Sequence, residues 1–375
     1  MRILHTSDLH LGISLMGESL LPYQELFCDY LADLVEQENI DVVLLSGDIF
    51  DRAVSSAEAI GLYNRLMTRL CLEKRSKVMV IAGNHDGAER LSSCSQLLDQ
   101  AGLYIRGRLG AGPDTVVLQD GDEKVGFVLL PHFNLDEARA LYPDEQISSM
   151  EAAVARIVAD ANRDADKLIL LAHLFVKGGE TCESDRAAVV GGAQAVSAEV
   201  LSGFDYVALG HLHRPQSFSG RVRYCGTPLQ YSFAEEGQQK GVVIYDTNTD
   251  ACTTVALPQF CRCRTVRGTL EELRCEAELN ANDHEFMRLE VEDQPVTPSL
   301  LEEFRVFYPH LSTMLYVGAP QGRVVQMDAV EMSRLTPRQL LQAFLQDTEG
   351  TDADEQRTDW FLQALGAADD RGDVQ

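Results

Sequence analysis

The sequence predicts an α/β protein of two stacked β-sheets flanked by helices, joined to a small α+β unit and a helical C-terminal tail. Three observations predict this. Through the first 250 residues, short β-branched or leucine-rich runs end abruptly in polar residues. Stretches of helical period lie between several of these runs, and from about Pro258 the pattern changes to a shorter alternation. The runs Arg2 to Thr6, Val42 to Ser46, Val78 to Ala82, Val125 to Leu130, Leu168 to Ala172, Tyr206 to Leu209, Val222 to Cys225 and Val242 to Tyr245 read as buried strands, because most of them are apolar on both faces. Tyr23 to Gln37, Ala57 to Leu72, Leu91 to Ala101 and Ser149 to Ala161 read as helices. Strand alternating with helix implies much parallel sheet; the later strands follow one another without helices, and a second stacked sheet accommodates them.

A strand near Arg264 to Val266, a helix from Leu270 to Leu279, a strand at Phe286 to Val291, a helix from Ser299 to Phe307 and a strand at Thr313 to Val317 make up the small unit. Beyond it, Thr336-Pro337 places a cap before a proline at the first helical position. Leu340, Leu341, Phe344 and Leu345 stripe that helix, and Trp360, Phe361, Ala364 and Leu365 stripe a second, with the acidic stretch Asp347 to Asp354 between them. The expected divisions are 1–258, 259–332 and 333–375. The two tail stripes suit either a groove on a partner or the chain's own small unit.

A chain of 375 residues, 45% hydrophobic and 24% charged, has the balance of a folded soluble protein. No apolar run approaches the roughly 18–20 residues that span a bilayer. The opening MRILHTSDLH lacks the basic and long apolar segments of a secretion signal, so a cytoplasmic location is expected. Nine cysteines at irregular spacing are expected to be free thiols; Cys261-Arg262-Cys263 has no partner pair to complete a zinc site. Net charge is 32 − 58 = −26, which argues against gripping nucleic acid over the whole surface. It leaves room for a local basic rim, because nine of the acids fall in 347–375 and metal-binding carboxylates count as negative until a cation reverses the local sign.

The chemistry lies in five polar clusters at predicted strand ends: Asp8-Leu9-His10, Gly47-Asp48-Ile49-Phe50-Asp51, Gly83-Asn84-His85-Asp86, His173 and Gly210-His211-Leu212-His213. They hold five of the nine histidines. Carboxyl ends of parallel strands share a crevice, so residues 200 apart in sequence can meet there. Each cluster alone has a structural reading: a polar turn after a strand, a common Gly-Asp turn, a buried structural histidine. Together, in this order, they point to a metal site. Aspartate, asparagine and histidine without thiolate suit Mn²⁺, Fe²⁺ or Zn²⁺, seven such ligands exceed the needs of one ion, and a carboxylate can bridge two ions to hydrolyse a phosphate ester.

The ordered set DxH, GDxxD, GNHD, H, GHxH resembles the calcineurin-like metallophosphoesterase superfamily over about residues 1 to 246, which implies its four-layer sandwich. By that resemblance one metal would be held by Asp8, His10, Asp48 and His213 and the other by Asp48, Asn84, His173 and His211, with Asp48 as the bridge. His85 is implied as the histidine that contacts the scissile phosphate or leaving oxygen. Asp51 is placed either to orient His85 or to cap the following helix. His132, after Pro131, is read as structural.

Three longer segments, MRILHTSDLHLG, GDIFDRAVSSAEAIGLYNRL and RYCGTPLQYSFAEEGQQKGVVIYD, closely resemble the SbcD family, the nucleases of SbcCD complexes, and the unit beginning RTVRGTLEEL resembles that family's DNA-facing capping domain. The resemblance then runs to about residue 328. It implies a DNA exonuclease and endonuclease of repair, recombination and replication, cutting double-strand ends and hairpins with two divalent ions, Mn²⁺ foremost. It also implies an SbcC-type ATPase partner, with this chain as a homodimer within a heterotetramer, cytoplasmic and nucleoid-associated. Arg52, Arg90, Lys177, Arg186, Arg214, Arg221 and Arg223 either contact phosphates or pair with the abundant acids. The rival expectation is a small-molecule phosphodiesterase or phosphatase of the same superfamily. An adaptor with a dead site is disfavoured because no expected ligand is missing.

Overall fold

The computed structural model describes residues 1–182, 195–282, 284–318, 336–339, 341–342, 357–359 and 361–362. Two six-stranded sheets build the main body. In the first, the spatial order is β14 (Ala251–Ala256), β13 (Gly241–Asp246), β1 (Arg2–Thr6), β4 (Val42–Ser46), β5 (Lys77–Ile81) and β6 (Leu103–Arg106). In the second it is β11 (Gln216–Ser217), β12 (Val222–Tyr224), β10 (Tyr206–Gly210), β9 (Lys167–His173), β8 (Glu123–Leu130) and β7 (Asp114–Asp120). Strands β1, β4, β5 and β6 run parallel, as do β12, β10, β9 and β8; antiparallel strands extend the edges.

The apolar runs are explained by burial on both sides. All five residues of β4 are buried. Val42 and Leu44 join Ile3, Met79, Phe127, Ile169 and Tyr206 between the sheets, while Val43 and Leu45 pack with Phe27, Leu31, Leu62 and Leu66 of the helices outside. Each such side chain contributes about 1.5–3 kcal/mol on full burial. Helices α1 (Leu21–Gln37) and α2 (Ala57–Thr68) cover the first sheet; α5 (Leu135–Leu141) and α6 (Met150–Ala159) cover the second. The result is the four-layer arrangement of helix, sheet, sheet and helix.

Two helices differ from expectation. In place of one helix over Leu91 to Ala101 there are α3 (Ala88–Leu91), α4 (Ser95–Leu98) and a 3-10 turn, Asp99–Ala101. Cys94 takes a left-handed φ of 59°, and Ser92 Oγ donates to the Ala88 carbonyl at 2.7 Å, an alternative to helical hydrogen bonding that serine offers readily. The helix expected to reach Leu72 leaves α-geometry at Thr68 and finishes as a π-turn, Arg69–Glu73.

A three-stranded parallel sheet, β15 (Arg262–Gly268), β16 (Glu285–Val291) and β17 (Leu311–Tyr316), packs under α7 (Leu270–Asn280) and α8 (Pro298–Arg305) around its own core of Leu273, Met287, Leu289, Phe304 and Tyr308. It is tied to the main body at two places. Phe286 lies 5.8 Å ring to ring from Tyr23 of α1 and stacks on His310, which pairs with Glu18 of the hairpin β2 (Ser14–Leu15) and β3 (Glu18–Ser19). The backbone amides of Cys263 and Thr265 donate to the side chains of Gln230 and Glu236, at 2.8 and 2.9 Å. Cys261 and Cys263 are buried at this junction, and none of the nine cysteines forms a disulfide.

In the tail, Thr336 and Gln339 close a reciprocal cap. Leu340, Phe344, Leu345, Trp360, Ala364 and Leu365 lie outside the described residues, as does Arg186. Among the described residues, no helix is long and apolar enough to cross a membrane.

Candidate metal centre

The carboxyl ends of β1, β4 and β5 in one sheet and of β9 and β10 in the other open into one crevice. There the chain leaves the strands in tight loops that run side by side: the amides of Asp8, His10 and Leu11 donate to the carbonyls of Gly47, Asp48 and Ile49 at 2.9–3.0 Å. Asp8, His10, Asp48 and His211 all have positive φ, at 52°, 43°, 49° and 110°. Such conformations cost about 1–3 kcal/mol each and persist where the surroundings impose them. Here they turn short polar side chains into the crevice.

The glycines before these residues have a steric reason. A Cβ at Gly83 would stand 2.1 Å from Asp48 Oδ1, one at Gly47 2.4 Å from His173 Nδ1, and one at Gly210 2.0 Å from the Ser46 carbonyl. Gly-Asp, Gly-Asn and Gly-His therefore belong together as pairs: one residue makes room and the next supplies the donor.

All seven expected ligands converge. Asp48 Oδ2 lies 3.4 Å from His173 Nε2 and 3.8 Å from His10 Nε2. Asn84 Oδ1 lies 3.0 Å from both His173 Nε2 and His211 Nδ1. Both oxygens of Asp8 accept from the His211 amide, at 3.0 and 3.2 Å, and Ser7 Oγ donates to Asp8 Oδ2 at 2.5 Å. The ring of His213 is 5.1 Å from that of His10. Asp8, His10 and Asp48 present ligand atoms that all lie within 4.8 Å of one another.

The donor set fits a divalent cation. His10 is 2% exposed and neither ring nitrogen makes a hydrogen bond, a costly state for a buried imidazole unless something else takes a lone pair. Burial, reinforced by the neighbouring histidines, pushes His10 down to about 3 and His211 down to about 3, so both are neutral, as metal-ligating imidazoles must be. Burial works against the charge of Asp48, yet His173, His10 and His85 hold its carboxyl well below the usual range. Burial raises Asp8 to about 6. His173 is the exception. Burial opposes its charge, but Asp48, Asp8 and the Ser46 carbonyl at 2.9 Å raise it to about 9, so a positive charge is favoured where a cation would sit.

His85 stands at the rim, half-buried. Its amide donates to Asp48 Oδ1 at 2.9 Å, and its Nδ1 lies 2.9 Å from the backbone carbonyl of Asp51. Asp51 thus meets the His85 ring through its main chain. Its carboxylate lies 4.0 Å from His10 Nδ1 and 3.2 Å from Arg52 Nε. The cap of α2 is Ser56, whose Oγ accepts from the Ala59 amide, so the capping alternative for Asp51 does not hold. His132 lies beside the crevice, its ring 6.2 Å from that of His173.

Most of the basic residues that could meet phosphates are engaged elsewhere: Lys177 with Glu151, Arg214 with Glu180, Arg221 with Asp250, Arg223 with the Gly220 carbonyl and Arg90 with the Ala53 carbonyl. Arg52 keeps 78% of its side chain exposed.

Several supports were given no role by the sequence, although Asp86 belongs to the GNHD motif. Asp86 accepts the amides of Gly83, Ile49 and Phe50, joining the GNHD and GDxxD loops. Burial raises its carboxyl to about 6. Gln24 of α1 accepts from Gly12 and donates to the carbonyls of Leu9 and His10, fixing the first loop. Behind His213 lies a buried group of Glu235, Lys240 and Thr227. Burial opposes the charge of Glu235, but His213 and Lys240 bring it down to about 2.

A crevice of aspartates, asparagine and histidines at the strand ends of a four-layer sandwich defines a metallophosphoesterase. Residues 1–215 match the calcineurin-like phosphoesterase family, and the chain belongs to that family. More narrowly, it is 30% identical over 318 residues to the SbcD component of the SbcCD nuclease of Staphylococcus epidermidis, covering 83% of this chain and 84% of that protein. Similar solved structures include a dimetal phosphatase from Danio rerio, 13% identical with a TM-score of 0.40 over 65% of this chain and 91% of that one. Another is GAP50, the anchor in the inner membrane complex of Plasmodium, 13% identical with a TM-score of 0.38 over 68% of this chain and 84% of that one. The chain is a metal-dependent phosphodiester hydrolase.

Proposed function

We propose that this chain is the nuclease component of an SbcCD-type complex, a DNA exonuclease on double-strand ends and an endonuclease on hairpin or single-stranded DNA, working in the cytoplasm at the nucleoid in repair, recombination and replication. The observation that carries the chemistry is the gathering of seven oxygen- and nitrogen-bearing side chains in one crevice, with His10 and His173 both reaching Asp48 and the nitrogens of His10 left without hydrogen bonds. Likeness to an SbcCD nuclease component over most of the chain supports DNA as substrate and an SbcC-type ATPase as partner. In this reading residues 1–258 form the nuclease domain, 259–332 the capping domain and 333–375 the partner-binding segment, in a homodimer within a heterotetramer.

Asp8, His10, Asp48 and His213 would hold one cation, and Asp48, Asn84, His173 and His211 the other. Two divalent ions, Mn²⁺ by preference, would neutralise the phosphodiester and lower the pKa of the attacking water. The chain's own residues supply the rest. Asn84, His85 and His211 occupy the more open side of the site, where a phosphodiester can enter. His85 directs Nδ1 at the Asp51 carbonyl, and when protonated on both nitrogens it would have Nε2–H to give to the leaving oxygen. Asp51 orients that ring through its backbone, and Arg52 is available to a phosphate of the incoming strand.

The test is digestion of end-labelled duplex and hairpin DNA with Mn²⁺, with and without the ATPase partner. Cleavage of both substrates, stimulated by the partner and ATP, is expected. Hydrolysis of a mononucleotide diester with no cutting of either DNA would replace this reading with that of a small-molecule phosphodiesterase.

A further inference from the structure

Of the seven candidate ligands, His213 has the most heavily built support, and its sequence neighbours do not supply it. Its Nδ1 lies 3.2 Å from Glu235 Oε1. The other oxygen of Glu235 accepts from Lys240 Nζ at 2.6 Å and from Thr227 Oγ1 at 3.0 Å. Lys240 Nζ also donates to Thr227 Oγ1 at 2.7 Å, to Gln238 Oε1 at 2.9 Å and to the His213 carbonyl at 3.2 Å. Glu235 is 0% exposed, Lys240 6% and Thr227 0%.

A buried ammonium and carboxylate are expensive to desolvate, and a hydrophobic pair of similar volume would often serve stability as well. The pair therefore calls for a use beyond holding the fold. An ionised carboxylate can only accept, so the Nδ1 of His213 carries the proton, and in the neutral ring Nε2 is the nitrogen with the lone pair. The turn bearing Glu235, Phe233–Glu235, is itself pinned: Ser232 caps it, Arg288 of β16 lies 5.0 Å over the Phe233 ring, and Glu236 accepts the Thr265 amide of β15.

We propose that Glu235 is a positioning residue for the metal centre, fixing the tautomer and ring angle of His213 so that Nε2 is offered to the cation, and that Lys240 and Thr227 hold that carboxylate in place. The inference rests on the reading of His213 as a metal ligand. Carboxylate–histidine–metal triads of this kind typically alter metal affinity about 10- to 100-fold when the carboxylate is lost.

The experiment titrates Mn²⁺ into the metal-free full chain by calorimetry, with folding checked by circular dichroism. Glu235→Leu combined with Lys240→Met removes the acceptor without stranding a buried charge, and one of the two Mn²⁺ equivalents should weaken about 10- to 100-fold while the other is unchanged. Glu235→Gln, which keeps shape and one acceptor oxygen, should fall between this variant and the unmodified chain. Normal affinity at both sites in both variants overturns the proposal. His213→Gln is the companion: if it leaves both equivalents intact, the ligand reading itself fails, whereas its loss of one equivalent beside normal Glu235 variants sinks only the positioning role. A measurement free of folding defects is the ¹⁵N spectrum of histidine-labelled, metal-free, unmodified chain, with His213 assigned by its absence in His213→Gln. A proton on Nδ1 is expected, and a proton on Nε2 with bare Nδ1 contradicts the proposal.

Discussion

The two sheets deliver donors to the same crevice by different means. From the first, Asp8, His10 and Asp48 come through left-handed backbone just past β1 and β4, with Gln24 and Asp86 stapling the loops. From the second, His173 is still in strand register opposite Gly210 and is aimed by a hydrogen bond to the Ser46 carbonyl of the facing sheet, while His213 is aimed by Glu235. The first half is a backbone construction that needs glycine clearances and tolerates short polar side chains. The second shares that device at Gly210-His211, with its own clearance and positive φ, but sets His173 and His213 by what lies behind their imidazole nitrogens.

The largest effect should come where the halves meet. Asp48→Asn replaces a charged carboxylate, reached by His10 and His173 from opposite sheets, with an amide offering one weaker oxygen. Bound metal should fall from about two ions per chain to about one, and cleavage to background, with the fold intact by circular dichroism. Two tightly held ions with normal activity would remove Asp48 from the shared position.

His85→Gln should lower single-turnover cleavage by ~10²–10⁴ while metal stoichiometry and DNA affinity stay as they are. Loss of an ion in that variant would make His85 part of the first half's ligand set. Gly83→Ala sharpens the comparison, because its Cβ would strike Asp48 Oδ1 and the Asp48 amide, at 2.1 and 2.4 Å. Overpacking of this kind costs about 1–3 kcal/mol. Chemical denaturation should show that loss together with weakened Mn²⁺ binding, and unchanged binding would mean the loop yields without moving the carboxylate. At the small end, Ser56→Ala removes the cap of α2 and should lower stability by ~0.5–2 kcal/mol in the same assay, leaving cleavage alone.

The first half was the more legible in sequence, for a physical reason. Strands buried on both faces must be continuously apolar, so Asp8, Asp48 and Asn84 stand out where the runs stop, and the glycines directly before Asp48 and Asn84 mark tight approaches. His173, His211 and His213 were legible as residue types at strand ends. Their supports were not: Glu235 and Lys240, five apart in a polar stretch, look like any solvated pair until the fold buries both. Asp51 illustrates another limit, since its contact with the His85 ring is made by a carbonyl that every residue possesses. The break at Cys94 was hidden because a left-handed φ at a non-glycine residue leaves no compositional trace.

The central claim is that the two halves close around two cations sharing Asp48. Anomalous diffraction from crystals of the full chain grown with Mn²⁺ tests it most directly. Two manganese peaks roughly 3.5–4 Å apart, both within ligand distance of the Asp48 carboxylate, are predicted. A single peak, or two that do not share Asp48, would contradict the account.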